Sequence, residues 1–328
     1  MKLPAIKYCP GTLADGFNTY SRACLNRLFL GKKVHHVLPY DSPTSSADDA
    51  QLFEASQRRI SISGVQPKFP VVLDKNKLRL AGEGERGAFI LKPVPYAGAR
   101  ADQMPANEHL TMQIARQVYG IETAENALIF FKDGTPAYIT RRFDVSEVGE
   151  KWAQDDFASL AGRMPETHGT HYKYGGHYLE LFELMRRHLP AYRTEAPKLL
   201  TVLLFNYLFS NGDAHLKNFS LLETPLGDYR LSPAYDLLNS RIHINDQDFA
   251  LEDGLLPKAM SKGKVHEQFA LLAEHAGISQ VMFDKIFSRL LGSSERVETM
   301  VGASYLDDKT KRNYWQSYLT RKNKLLRS

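Results

Sequence analysis

The sequence predicts an α+β protein of two lobes, one small and β-rich with a single main helix, the other larger and mostly helical. Three observations carry that expectation. Residues 199–209 form an almost unbroken apolar run, as a buried helix requires, and the run empties into the polar loop Asn211-Gly-Asp-Ala-His-Leu-Lys-Asn218. Two short apolar segments follow, 219–222 and 229–231, joined by the turn-like 224–228, and the second leads to Ser232-Pro-Ala-Tyr-Asp236. Upstream of residue 143, by contrast, short β-like runs alternate with turns and one long helical pattern.

Taken in order, residues 20–30 read as a helix, 34–38 as a strand, and the Ser-, Asp- and Thr-rich 41–49 as a loop. Ser61-Ile-Ser63-Gly64-Val-Gln-Pro-Lys68 is a small-residue loop beside a hairpin, whose strands at 69–73 and 78–80 meet across the turn 74–77. A third strand, 88–92, ends on Lys92. Asn107 is expected to cap a helix over 107–119, with Leu110, Ile114 and Val118 at four-residue spacing and Gly120 as its stop. A second hairpin, 127–131 and 137–140, turns at 132–134. The crossover 140–144 is the natural hinge and divides lobes at 1–143 and 144–328. Beyond it, 179–189 carries a stripe at Leu181, Leu184, Met185 and His188 before Pro190. Helices follow near 265–276 and 278–291, and Trp315, Tyr318, Leu319, Lys322 and Leu326 mark a terminal helix with a solvated basic face.

Composition bounds the class. A chain of 328 residues can bury a real core, and 43% hydrophobic with 24% charged residues is ordinary for a globular protein. Forty-two Lys and Arg against 37 Asp and Glu give +5, a mild excess that suits phosphates without arguing for DNA binding. Two cysteines, Cys9 and Cys24, without metal spacing, point to a reducing cytosol rather than a disulfide framework. No signal-like N-terminal stretch and no apolar window of ~18 residues occurs, so a cytoplasmic location is expected.

The Asp213-to-Asn218 step is the Asp-x-x-x-x-Asn spacing of a kinase catalytic loop. It lets Asp213 face an acceptor hydroxyl and take its proton while Asn218 turns toward a metal. Phosphoryl transfer needs charge neutralisation and positioning above all. Lys92 is a point charge suited to ATP phosphates, and Glu108, one turn into the following helix, can pair with it. Asn218 and Asp236 are hard oxygen ligands of the kind Mg²⁺ prefers. Ser61 to Gly64, Ser63 included, offers backbone N–H groups in a tight loop, and Lys68 adds a second positive charge. Each residue alone has a plain reading: a turn Asp, a strand-end Lys, a first-turn Glu. Their joint order is what points to a kinase. No Gly-x-Gly-x-x-Gly, His-Arg-Asp or Asp-Phe-Gly occurs, which excludes an ordinary eukaryotic-type protein kinase.

The strings resemble the HipA family of bacterial toxin serine/threonine kinases. Lys7-Tyr-Cys-Pro, Leu28-Phe-Leu-Gly-Lys-Lys, Ser61 to Lys68, Phe89-Ile-Leu-Lys-Pro93, Asn107-Glu108, Arg142-Phe-Asp144, Asn211 to Ser220 and Ser232 to Asp236 carry the likeness. The resemblance implies a toxin–antitoxin kinase that acts on aminoacyl-tRNA synthetases and slows growth. It implies Asp213 as catalytic base, Asn218 and Asp236 on magnesium, and Lys92 on ATP phosphates. The main chain around Arg141–Phe143 would meet adenine and Asp144 the ribose, with Ser63, Gly64, Lys68, His215 and Lys217 also counted in the ATP site. The regulatory, self-phosphorylated serine falls on Ser61, with Ser63 beside it, so modification there is expected to switch the enzyme off. The chain is short for the family and looks like the compact HipT type of three-gene systems. Its expected partners are therefore a small antitoxin resembling the missing N-terminal subdomain and a separate DNA-binding antitoxin.

Two readings compete with the kinase: a kinase-like binding module working in a repressor complex, and a small-molecule or lipid kinase. His168, His171 and His177 invite a metal reading, but no Cys lies close and the Gly- and Tyr-rich segment is expected to be a surface loop, with a substrate-docking or activation-like loop as the weaker alternative.

Overall fold

In the computed structural model, residues 5–43, 67–146, 149–245 and 247–327 are described. Ser61, Ser63 and Gly64 lie outside the described residues.

Helix α1, Arg22–Phe29, starts where Ser21 accepts the Cys24 N–H and turns Cys24, Leu28 and Phe29 inward. Strands β1 (Phe69–Asp74), β2 (Lys77–Leu80), β3 (Phe89–Pro93), β4 (Asn126–Phe130) and β5 (Pro136–Arg141) form one antiparallel sheet in the order β2-β1-β3-β5-β4. Because successive residues alternate faces, the sheet serves two cores. Phe69, Val71, Leu91, Ala127, Ile129 and Ile139 join α1 in a small cluster. Leu128 and Tyr138 belong instead to the large cluster, with helix α2 (Met104–Gln117). Lys92 pairs in register with Tyr138, and its ammonium stands 5.3 Å from that ring.

The larger part is built on helices α3 (Leu179–His188), α4 (Tyr192–Leu208), α5 (Val265–His275), α6 (Gln280–Leu291), α7 (Ser294–Ala303) and α8 (Asp308–Leu326). Every residue of α4 from Leu199 to Leu208 is buried, which is why its sequence is apolar all round. A second sheet, β6 (Gln154–Asp156), β7 (Ser220–Glu223) and β8 (Tyr229–Leu231), sits at the end of α4. Among the described residues no helix is long and apolar enough to cross a membrane, and Cys9 and Cys24 are both free and buried.

Several expectations need correction. The 34–38 segment is not a strand: only Val37 bridges, in parallel to Phe130 at the sheet edge. Helix α2 begins at Met104, with Pro105 in its first turn, so Asn107 is an interior residue and not a cap. Helix α4 starts seven residues before Leu199, running through Pro197. His188 is exposed and Phe182 takes its place on the buried face of α3. On α8 the buried stripe is Thr310, Tyr314, Tyr318, Arg321 and Leu325, and Leu326 faces out.

Candidate active site

Two groups of polar side chains meet where the sheet, α2 and the loop after α4 converge. The first is built on Lys92. Strand β3 delivers it from the sheet face that α2 covers, and α2 presents Glu108 to it at 2.6 Å. Asp236, which is 144 residues away in sequence, contacts the same ammonium. Lys92 and Glu108 side chains are 5% and 3% exposed and Asp236 is 22% exposed. Lysine is almost never buried this far without partners. Burial works against the charge on Lys92, but Asp236 and Glu108 outweigh it and hold the ammonium above its ordinary range. Burial likewise raises Asp236, yet Lys68 and Lys92 together pull it well below the usual carboxylate range. Glu108, more deeply enclosed, is pushed up by burial despite Lys92.

Asp236 sits at φ +55°, in the left-handed region that Asp and Asn tolerate better than most residues. Asn211 supports it by donating to its backbone carbonyl at 3.3 Å. Lys68 lies 3.6 Å from its second carboxylate oxygen, and the Asn218 amide donates to that oxygen at 3.1 Å. Asn218 is itself fixed by the short 216–218 helical turn, where its Oδ1 accepts the His215 N–H at 3.1 Å and its own N–H reaches the His215 carbonyl at 2.9 Å.

The second group surrounds Asp213. The Tyr174 hydroxyl donates to Asp213 Oδ1 at 2.9 Å. Lys173 lies 2.9 Å from His215 Nε2. Burial, then Lys173, depresses the His215 imidazole to about 3, so it is neutral near pH 7 and can accept from the ammonium. Lys217 donates to the Tyr172 hydroxyl at 3.3 Å and lies 4.0 Å from Asp156. The Lys173 carbonyl accepts the Leu216 N–H at 3.1 Å, tying the 172–174 segment to the loop along its main chain.

Lys92, Glu108, Asp236, Asn218 and Lys68 are thus brought together, with Asp213, His215 and Lys217 on the adjoining loop. The hinge residues do other work in this arrangement. Arg142 clasps the Asp144 carboxylate through two hydrogen bonds, at 2.9 and 2.5 Å. Arg141 N–H bonds the Glu125 carbonyl at 2.8 Å, and the Phe143 ring lies 5.5 Å from that of Tyr235. Sequence reasoning missed Tyr172, Lys173, Tyr174 and Asn211. The only local signal for the first three was the Gly175-Gly176 pair, a composition that permits close backbone approach, and Gly176 does take φ +81°. Among the described residues no three His, Cys, Asp or Glu side chains converge as a metal cage, the 168–177 histidines included.

A model of the HipA-like C-terminal domain matches residues 60–297. Two putative kinases of Sinorhizobium fredii, Y4mE and Y4dM, are 34% identical over 190 residues and 30% identical over 264. Those alignments take in 56% and 74% of this chain but only 43% and 61% of the relatives' lengths. A putative kinase of Haemophilus influenzae is 22% identical over 315 residues, covering 89% of this chain and 88% of that protein. Among solved structures, HipA of Shewanella oneidensis MR-1, from a toxin–antitoxin complex with HipB and operator DNA, superposes with a TM-score of 0.61 at 22% identity, over 82% of this chain and 65% of that one. The proinflammatory kinase CtkA of Helicobacter pylori gives 0.52 at 14% identity, over 77% and 92%. At such identities the likeness concerns the fold, which is two-lobed and kinase-like.

Proposed function

The chain belongs to the HipA-like C-terminal domain family, and on that premise we propose that it is an ATP- and Mg²⁺-dependent serine/threonine protein kinase acting as the toxin of a toxin–antitoxin system. One observation carries the reading: Lys92, Glu108, Asn218 and Asp236, from four separate elements, meet in a single cluster, with Asp213 on the same loop as Asn218. A structural ion pair has no need of a third and fourth partner on a strained backbone, whereas a phosphate site does.

In this reading Glu108 fixes Lys92 against the phosphates, and Lys68 adds charge on the open side. Asp213 orients the acceptor hydroxyl and takes its proton as the oxygen bonds to the γ-phosphorus and the bond to ADP breaks. Asp236 and Asn218 are the residues that would hold Mg²⁺, on condition that the Asn218 amide, which here turns its NH2 to Asp236 and its oxygen to the His215 N–H, presents that oxygen instead; phosphates and water would take the remaining positions. When bound, Mg²⁺ would neutralise phosphate charge there. The main chain of 141–143 and Asp144 complete the proposed nucleotide site, on a lobe of residues 1–143 facing one of 144–328, with His215 and Lys217 at its edge. We assign autophosphorylation to Ser61 and Ser63. The proposed substrate is an aminoacyl-tRNA synthetase. The proposed partners are a small antitoxin and a DNA-binding one, by analogy with the HipA–HipB–DNA assembly.

The test is transfer of labelled γ-phosphate from ATP, with Mg²⁺, into the purified chain and into lysate proteins, alongside Asp213→Asn. Label in the chain and in a discrete lysate protein, lost in Asp213→Asn, is the expected result. No label in any protein would overturn the reading in favour of a kinase-like binding module.

A further inference from the structure

We propose that the Tyr174 hydroxyl holds the place of the acceptor hydroxyl on Asp213, and that the Tyr174 side chain is what an incoming substrate must displace to be phosphorylated. The inference rests on the phosphotransfer reading above and assigns the acceptor side of the same site.

A carboxylate serving as base must receive the acceptor O–H within about 2.6–3.2 Å. Tyr174 meets that requirement at 2.9 Å, donating its hydroxyl to Asp213 Oδ1 as a substrate serine would. The contact is built in by the surroundings. Glu252 N–H bonds the Tyr174 carbonyl at 2.9 Å, Asp253 N–H bonds the Gly176 carbonyl at 3.0 Å, and the Lys173 carbonyl receives Leu216 N–H. The Tyr174 ring stands edge-on to the His215 imidazole at 5.3 Å, so ring and hydroxyl are aimed by the catalytic loop itself. On either side, Lys173 engages His215 and Tyr172 engages Lys217. Three consecutive side chains therefore cover three residues of the loop from Asp213 to Lys217.

Tyr174 is only half-buried. Its main chain is anchored while its side chain stays within reach of solvent, which allows the phenol to swing away without unfolding the segment. An acceptor must then compete with a hydroxyl already in place. The penalty falls on acceptor binding, because the hydroxyl that must leave is bonded to Asp213, while the Lys173 and Tyr172 contacts to His215 and Lys217, at the edge of the nucleotide site, stay in place.

The test compares wild type with Tyr174→Phe, which keeps the ring on His215 and removes only the hydroxyl. Dephosphorylated casein serves as acceptor, with ATP and Mg²⁺. The expected result is a rise in kcat/KM for casein of about tenfold, the low end for a hydrogen bond to a charged group, expressed mainly in acceptor KM. KM for ATP should stay unchanged. An unchanged or lower kcat/KM would overturn the inference, and a fall in kcat at constant acceptor KM would make Tyr174 a residue that positions Asp213. If neither protein moves phosphate to casein or to itself, the kinase reading fails and takes this inference with it. Failure of the inference alone leaves the wild type active.

Discussion

At the scale of single residues, the site turns on how one buried lysine is shared. Lys92 faces Glu108 and Asp236 together, and Lys68, 40% exposed, stands on the open side of Asp236. Removing one member of a buried ion pair leaves an uncompensated charge and costs about 3–5 kcal/mol. Lys92→Met strands the buried Glu108 and leaves Asp236 with Lys68 and the Asn218 amide, so a loss in that range is expected. Glu108→Gln leaves Lys92 paired with Asp236, and the loss should be clearly smaller. Urea unfolding of the two variants checks the order; equal losses would mean that Asp236 does not share the lysine in solution. On the proposed function both variants should lose ATP-dependent transfer, since one removes the charge assigned to the phosphates and the other its anchor. The composition of this cluster was legible from order along the chain, because a lysine ending a strand before a helix, and an Asp-x-x-x-x-Asn loop before a hairpin, are local patterns. Tyr174 was not legible, because nothing in its neighbours states that the loop folds back on Asp213.

At the scale of elements, α2 joins the two parts of the molecule, and Asn107 does the joining. Its amide donates to the Asn239 carbonyl at 2.9 Å and lies 2.8 Å from His243 Nε2, while its Oδ1 accepts the Asn239 N–H at 3.0 Å. Thr111, one turn on, meets the Tyr314 hydroxyl of α8 at 2.8 Å. Asn107 thereby ties the helix that carries Glu108 to the segment just after Asp236. Asn107→Asp separates this role from that of a cap. A cap tolerates Asp as well as Asn, but here the new oxygen would face the buried Asn239 carbonyl, and His243, whose Nδ1 lies 3.0 Å from the Ala99 carbonyl, would have to take up a proton to become its donor. A loss of about 2–4 kcal/mol is expected from one broken bond and one desolvated oxygen left unpaired. Thermal or urea unfolding no different from wild type would return Asn107 to the role of a surface cap. The misreading had a physical cause. Asn before an apolar period resembles a helix start, although Pro105, a residue favoured in first turns, was the better marker. Strand β6 went unread for a different reason: Gln154–Asp156 has no β pattern, and its strand exists only because β7 is there to pair with it.

At the scale of the whole molecule, the two-lobed order was legible because it follows from which segments are apolar and where turns fall. The sharing of one sheet between two hydrophobic clusters was not, since it depends on which face each helix covers. The molecule also buries histidines, and their burial gives it a definite response to acid. Burial depresses His109 to about 3, and burial with Lys173 does the same to His215. In the unfolded chain both titrate near 6.5. Between those values the unfolded state binds more protons than the folded one, so stability rises with pH through the window and is lost as pH falls below about 6.5. Each of these two histidines should cost about 1 kcal/mol between pH 6.5 and 5.5. His36 and His243, also lowered by burial, act in the same direction. Glu108, raised by burial, acts in the opposite one, but it is a single group against four. Asp236, held low after Lys68 and Lys92 outweigh its burial, keeps its stabilising charge until well below pH 4 and does not enter this window. The urea midpoint should therefore drop between pH 6.5 and 5.5, before ordinary carboxylates titrate, and His215→Asn should shrink the drop. A midpoint that holds or rises over that interval would mean the buried imidazoles already carry their protons in the folded protein, and with them a positive charge against Lys173 that the present geometry does not accommodate.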